Sequence, residues 1–261
     1  MIPKEVYISL RNVDNIKRCF FSRKTECSGK CEYCFGKWDK YLKIEDEQKI
    51  EDGMIIYPNC DGNAFDENWE SIEERIKKSS KKNIIVSIST KFDLNEDMLD
   101  KIVQLNNHLR KNGGMIKISV SFSCGEEHMQ TIENGTASYT ERIQVIRKII
   151  KKKIPYFTII KPILPFIEFG EYMKIIDDTF PLCPNYVLGD LYIDKNEEFY
   201  TKYIMNRGYN IKKRDVSWNG ENGEWDVVES NDLKESIEKY IVKLGGRTFK
   251  SDKEAIQYIE V

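Results

Sequence analysis

The stretch Cys27-Ser28-Gly29-Lys30-Cys31-Glu32-Tyr33-Cys34-Phe35-Gly36 sets three cysteines at CxxxCxxC spacing, followed by an aromatic residue and a glycine. That spacing suits one metal cluster gripped by a single tight loop. Three thiolates can hold three irons of a cubane iron–sulfur cluster, because Cys sulfur is the usual ligand of such clusters. An electron-transfer cubane takes four thiolates, and no fourth cysteine lies within the loop. One iron is then open to a substrate or cofactor. Two other readings compete. A structural zinc site needs four tetrahedral N/S ligands. The two histidines, His108 and His128, are far from the loop, so the fourth ligand would be a distant cysteine such as Cys19 or Cys60. Disulfide pairing fits poorly with an odd total of seven cysteines.

Around this loop the chain has 261 residues, 32% charged and 40% apolar, with a formal net charge of −2. That length suits one α/β barrel or two small domains. The near-neutral balance implies no global electrostatic pull toward nucleic acid or a membrane surface. The longest apolar runs, at 54–57 and 84–86, are of strand length and far too short to span a bilayer. The start of the chain lacks the apolar core of a secretory signal, so unpaired cysteines point to a reducing cytoplasm.

Short β-rich runs alternate with charged helical segments, the pattern of a parallel sheet with crossover helices. The first strand is expected at 17–23, which places the cysteine loop at a strand's C-terminal end, where α/β barrels build their sites. A helical link is expected at 45–50 and a second strand at 54–57. Pro58-Asn59-Cys60-Asp61-Gly62-Asn63 closes that strand in turn-forming residues. Residues 66–78 have helical spacing, with Trp69, Ile72 and Ile76 on one face. A third strand follows at 83–90. Asn95 caps a helix reaching about Lys111, with Met98, Leu99, Ile102, Leu105 and Leu109 inward. Residues 115–123 alternate as a fourth strand. Ser138 or Thr140 opens the next helix, whose apolar face is Ile143, Val145, Ile146, Ile149 and Ile150. A fifth strand is expected at 154–160, a helix near 168–178, a sixth strand at 186–193 and a helix at 197–206. The tail changes character. Two Asn-Gly pairs within 218–225 favour a hairpin, and 232–244 reads as an amphipathic helix. The domain reading is a barrel over 1–207 and an extension over 208–261 that covers it.

The cysteine loop resembles the cluster loop of the radical S-adenosylmethionine (SAM) superfamily, whose signature is CxxxCxxC followed by an aromatic residue. Three further stretches narrow the resemblance: Ser89-Thr90-Lys91; Ile132-Glu133-Asn134-Gly135-Thr136 with Glu141-Arg142; and Lys161-Pro162-Ile163-Leu164-Pro165. In this order and spacing they are similar to the spore-photoproduct-lyase-like branch, over residues 17–194. The resemblance implies an α/β fold, a partial (β/α)6 TIM-like barrel. It also implies a [4Fe–4S] cluster on Cys27, Cys31 and Cys34, SAM as second cofactor, and an electron donor such as flavodoxin or ferredoxin. SAM cleavage would then yield a 5′-deoxyadenosyl radical that takes hydrogen from a substrate. Asn134 stands where that branch usually has Pro, and the Gly-Gly-Glu segment of other radical SAM proteins is missing.

Candidate roles follow. The SAM carboxylate needs a cation, and Lys91 or Arg142 with its bidentate fork would serve. The alternatives are a solvated lysine and a helix-surface arginine. Ser119, Ser121 and Ser123 share one face of their strand, to bond the ribose or carboxylate or simply to make a polar barrel interior. Tyr33 and Phe35 flank Cys34; by resemblance the aromatic there packs by the adenine, with plain packing as the alternative for Tyr33, while Cys60 donates a hydrogen atom to a product radical and Asp61 or Asn63 meets the SAM amino group. Against Cys60's role stands the common fate of a free cysteine as a small buried hydrophobe. Two other functions stay open: repair of a nucleic-acid lesion, which the charge does not support, and a non-enzymatic iron–sulfur or zinc protein.

Overall fold

A computed structural model of the chain describes residues 17–21, 26–37, 49–58, 62–65, 69–216 and 223–256. Its elements run β1 (Arg18–Phe20), β2 (Lys30–Cys31), β3 (Ile55–Tyr57), α1 (Trp69–Ser79), β4 (Ile85–Thr90), α2 (Glu96–Arg110), β5 (Met115–Phe122), α3 (Glu126–Ile132), β6 (Glu133–Asn134) and α4 (Tyr139–Lys151). They continue with β7 (Tyr156–Ile160), α5 (Phe169–Thr179), β8 (Asn185–Leu188), β9 (Leu191–Ile193), α6 (Glu198–Tyr203), β10 (Asn210–Val216), β11 (Gly223–Glu229), α7 (Asn231–Lys243), β12 (Arg247–Phe249) and α8 (Asp252–Ile256). Seven strands form one parallel sheet in the order β1-β3-β4-β5-β7-β8-β12. This is the α/β, TIM-like partial barrel that the alternation and the resemblance imply. Among the described residues no helix is long and apolar enough to cross a membrane.

Strand β5 shows how the sequence makes the barrel. All eight of its residues are buried, because both faces of the sheet are covered. Ile116, Ile118, Val120 and Phe122 point outward into the main core under the helices. Met115, Lys117, Ser119 and Ser121 therefore point into the barrel, since side chains alternate along a strand. At the floor, Ile55, Ile85 and Met115 are cross-strand neighbours. They form a small apolar layer with Ile256 of α8.

The helices begin where their caps dictate. Asn95 accepts from the Met98 amide at 2.8 Å. The choice between Ser138 and Thr140 falls to Ser138: its amide donates to Glu141 Oε2 at 2.7 Å and its Oγ accepts from the Glu141 amide at 3.3 Å, a capping box. The expected inward faces are buried, apart from Met98, which is half-buried, and Ile150, which is 39% exposed.

Two departures matter for the site. The single sixth strand expected at 186–193 breaks at Gly189. β8 stays in the barrel, while β9 turns off to pair antiparallel with β11 of the β10–β11 hairpin. A Cβ at Gly189 would stand 2.4 Å from Lys161 Cγ, so only glycine lets the chain pass the lysine stem. The tail also contributes β12, a seventh barrel strand paired with β8. Phe249 and Ala255 then pack with Phe157, Ile159 and Val187 inside the barrel. The tips of the expected hairpin, at 217–222, and the link at 45–48 lie outside the described residues.

Candidate active site at the cysteine loop

The loop carrying the three cysteines is stitched to the segment that follows α3. Strand β2 pairs antiparallel with β6, setting Cys31 opposite Glu133 and Lys30 opposite Asn134. The Glu32 amide donates to the Ile132 carbonyl at 2.9 Å, and the Cys34 amide to the Cys31 carbonyl at 3.1 Å. The two chains approach so closely that a Cβ at Gly135, whose φ is +76°, would lie 2.6 Å from the Ser28 carbonyl oxygen. Only glycine at 135 lets the turn approach the cysteine loop this closely.

Cys27, Cys31 and Cys34 are half-buried and line one cavity of about 480 Å³ at the C-terminal ends of the barrel strands. Burial pushes the Cys31 thiol up to about 11, against the lowering effect of Lys91. A metal must therefore displace its proton to be bound. Sulfurs on a single zinc at ~2.3 Å would lie roughly 3.8 Å apart. Among the described residues, the ligand atoms that close to within 4.8 Å of one another belong to Glu127, His128 and Glu171, not to this loop. Among the described residues the three thiols do not close into a group of single-ion size, and Cys60 lies outside those residues. The donor set and spacing fit a polynuclear iron–sulfur group with an open position.

Behind the loop lies a charge network. Lys91 Nζ donates to Glu133 Oε1 at 2.6 Å and to Ser123 Oγ at 3.1 Å. The Tyr33 hydroxyl also donates to Glu133 Oε1, lies 2.7 Å from Ser123 Oγ and meets Lys91 Nζ. Arg142 Nη1 stands 2.6 Å from Glu133 Oε2 as an ion pair and donates its hydrogen to the Ser121 carbonyl at 2.7 Å. Burial would push the Glu133 carboxyl up, but Lys91 and Arg142 together overcome it and hold it at about 2. Burial and the facing Glu133 push the Tyr33 hydroxyl far up, so it stays protonated.

These contacts redistribute the expected roles. Arg142 is fully buried, and its guanidinium serves Glu133, the Ser121 and Ala137 carbonyls and Thr136 Oγ1. Its side chain is buried behind the cavity, with its donors engaged by protein acceptors. Lys91 does line the cavity, already paired with Glu133. Tyr33 is buried, its ring edge-on to Phe199 at 6.2 Å. Phe35 lines the cavity and meets Trp225 of β11 edge-on at 5.9 Å. Ser119 and Ser121 line it too, with hydroxyls donating to the Ile88 and Lys161 carbonyls at 3.3 Å. Asn63 is buried in a turn, accepting from the Phe65 amide at 3.2 Å. Cys60 and Asp61 lie outside the described residues. Cys19, Cys124 and Cys183 are buried core thiols.

Sequence reasoning quoted Glu133 within a motif but gave it no role, yet it is the hub of the network. The available signal was a carboxylate wedged between apolar Ile132 and an Asn-Gly turn. Lys161, at the end of β7, was likewise quoted without a role, and it lines the cavity.

No protein-family model matches the chain, and no curated protein matches it. Solved structures do. A Tyr-to-Phe mutant of spore photoproduct lyase aligns with a TM-score of 0.60 at 15% identity, covering 93% of this chain and 84% of the other. A Cys-to-Ala mutant of spore photoproduct lyase with dinucleoside spore photoproduct aligns with a TM-score of 0.61 at 14% identity, covering 93% and 85%. The chain has the fold of spore photoproduct lyase.

Proposed function

We propose that this chain is a radical SAM enzyme, with a [4Fe–4S] cluster on Cys27, Cys31 and Cys34. The observation that carries the reading is the placement of the three thiols of one loop along a cavity floored by parallel strands. When bound, the reduced cluster and SAM supply a single-electron cleavage of a carbon–sulfur bond, giving methionine and a 5′-deoxyadenosyl radical that takes hydrogen from the substrate.

The protein's own residues prepare that site. Lys91 offers a cation at the mouth, held in place by Glu133, Tyr33 and Ser123. Arg142 fixes Glu133 from below and so keeps the β2–β6 pair in register. Ser119 and Ser121 offer hydroxyls toward a ribose. Phe35, backed edge-on by Trp225, walls the cavity and keeps water from a reactive intermediate. The electron comes from a low-potential donor of the flavodoxin or ferredoxin kind.

The test is anaerobic reconstitution with iron and sulfide, then SAM and dithionite, with 5′-deoxyadenosine measured. The wild type is expected to assemble a cubane and release the nucleoside, and Cys31→Ala to release none. Retention of zinc, with no cubane formed, would show the reading to be wrong.

A further inference from the structure

The cavity has a second side with its own charges. The cluster loop sits over the ends of β4 and β5. Lys161 follows β7 and faces Gly189 of the β8–β9 break. Its backbone is fixed: the amide donates to the Phe122 carbonyl at 3.2 Å, and its carbonyl accepts from Ser121 and Ser123. Its stem is pressed past Gly189, so the ammonium is aimed into the cavity. Among the described residues that ammonium has no hydrogen-bond or ion-pair partner. The residue is exposed to the solvent that fills the cavity.

The charges felt by Lys161 are Asp252, Asp190, Lys234 and Arg214. None belongs to the cluster side, where Cys31 feels Lys91, Glu133, Cys34 and Arg142. Asp190 is already matched by Arg214 at 2.8 Å and Lys234 at 3.0 Å. The lining on this side then offers Lys161 and Lys250 against Asp252, an excess of positive charge. An ammonium that lines a cavity without a protein partner is available to an anion that enters it. Charge-assisted bonds to carboxylate or phosphate are the strong ones in such a setting.

We propose that the β7–β8 side of the cavity binds an oxyanion of the substrate, a carboxylate or a phosphate group, with the Lys161 ammonium as its principal partner. The proposal rests on the reading of this cavity as the chamber of a radical SAM enzyme. It deepens that reading by naming an anionic substrate class.

The test is calorimetric titration of the reconstituted full-length chain at low salt, with succinate in one arm and pyrophosphate in the other. Each arm is run with and without saturating SAM. At least one anion is expected to bind at one site per chain, and the arm that binds tells carboxylate from phosphate. Lys161→Met is expected to weaken binding by about tenfold or more, the size of a lost charged hydrogen bond. Lys161→Arg should retain most of it, because the cation is kept. Gly189→Ala, which displaces the lysine stem, should weaken binding while leaving Lys161 in the chain. The proposal is overturned if neither anion saturates, or if Lys161→Met binds as the wild type does. It is also overturned if SAM displaces the anion, which would hand Lys161 to the SAM carboxylate. The 5′-deoxyadenosine assay reads the other hypothesis separately. Normal cleavage without Lys161-dependent binding sinks this inference alone, and Lys161-dependent binding without cleavage sinks the radical reading alone.

Discussion

The mouth and the floor of the barrel each enclose a lysine, and treat it in opposite ways. At the mouth, Lys91 has Glu133 at 2.6 Å, and the carboxylate in turn has Arg142. At the floor, Lys117 is 1% exposed, and among the described residues it has the Asp252 carbonyl at 3.4 Å and the Phe157 ring centroid at 4.1 Å. Burial therefore pushes Lys117 down to about 7, with Asp252 opposing it. The difference teaches what decides the fate of a barrel lysine. A carboxylate in contact keeps both charges fixed and makes the pair part of the frame. Without one, a fully buried lysine such as Lys117 is driven toward the neutral amine.

The sharpest way to break this comparison is to remove the carboxylate. Glu133→Ala leaves Arg142 buried without its counter-charge, a change that costs about 3–5 kcal/mol in comparable pairs. Urea unfolding is expected to show a loss of that order. Removing both charges in Glu133→Gln with Arg142→Met should recover much of it. If Glu133→Ala unfolds at the wild-type midpoint, the network is no frame at all.

Acid titration sharpens the same point. Glu133 is held at about 2 against an ordinary value of 4.5. A carboxyl depressed on folding stabilises the protein above its unfolded value, and that stability is lost as pH falls from about 4.5 toward 2. The shift corresponds to about 3 kcal/mol. Comparing Glu133→Gln with wild type through this window should show the variant's stability falling less steeply. Parallel slopes would count against the assigned role.

These residues also show how far the sequence could be read. The cysteine loop was legible because its donors lie within eight residues and carry their chemistry in their spacing. Strand β5 and helices α2 and α4 were legible because burial imposes a period and caps impose a residue type, as at Asn95 and Ser138. The Glu133 hub was not, because its partners Lys91 and Arg142 come from other elements and meet it only once the sheet has formed. The break after β8 was hidden because Gly189 is required by the Lys161 stem, a contact across strands. Strand β12 and helix α8 are three and five residues long, too short for any period to show.

The smallest expected effect tests the floor. Lys117 binds its proton less tightly in the folded chain than in the unfolded one, where an ordinary value of 10.5 applies. Between about 7 and 10.5 the unfolded chain holds more protons, so stability should rise with pH across that window. Between pH 7 and 8 the gain is about 1 kcal/mol. In Lys117→Met the apolar stem is retained and the titrating group is gone, so this rise should vanish. Unfolding free energies of the two proteins at pH 7 and 8 measure it, and the difference between their slopes cancels groups common to both. A rise equal in wild type and variant would mean that the amine keeps its charge. The Asp252 carboxylate of α8 would then act on Lys117 as Glu133 acts on Lys91, and mouth and floor would be two cases of one arrangement.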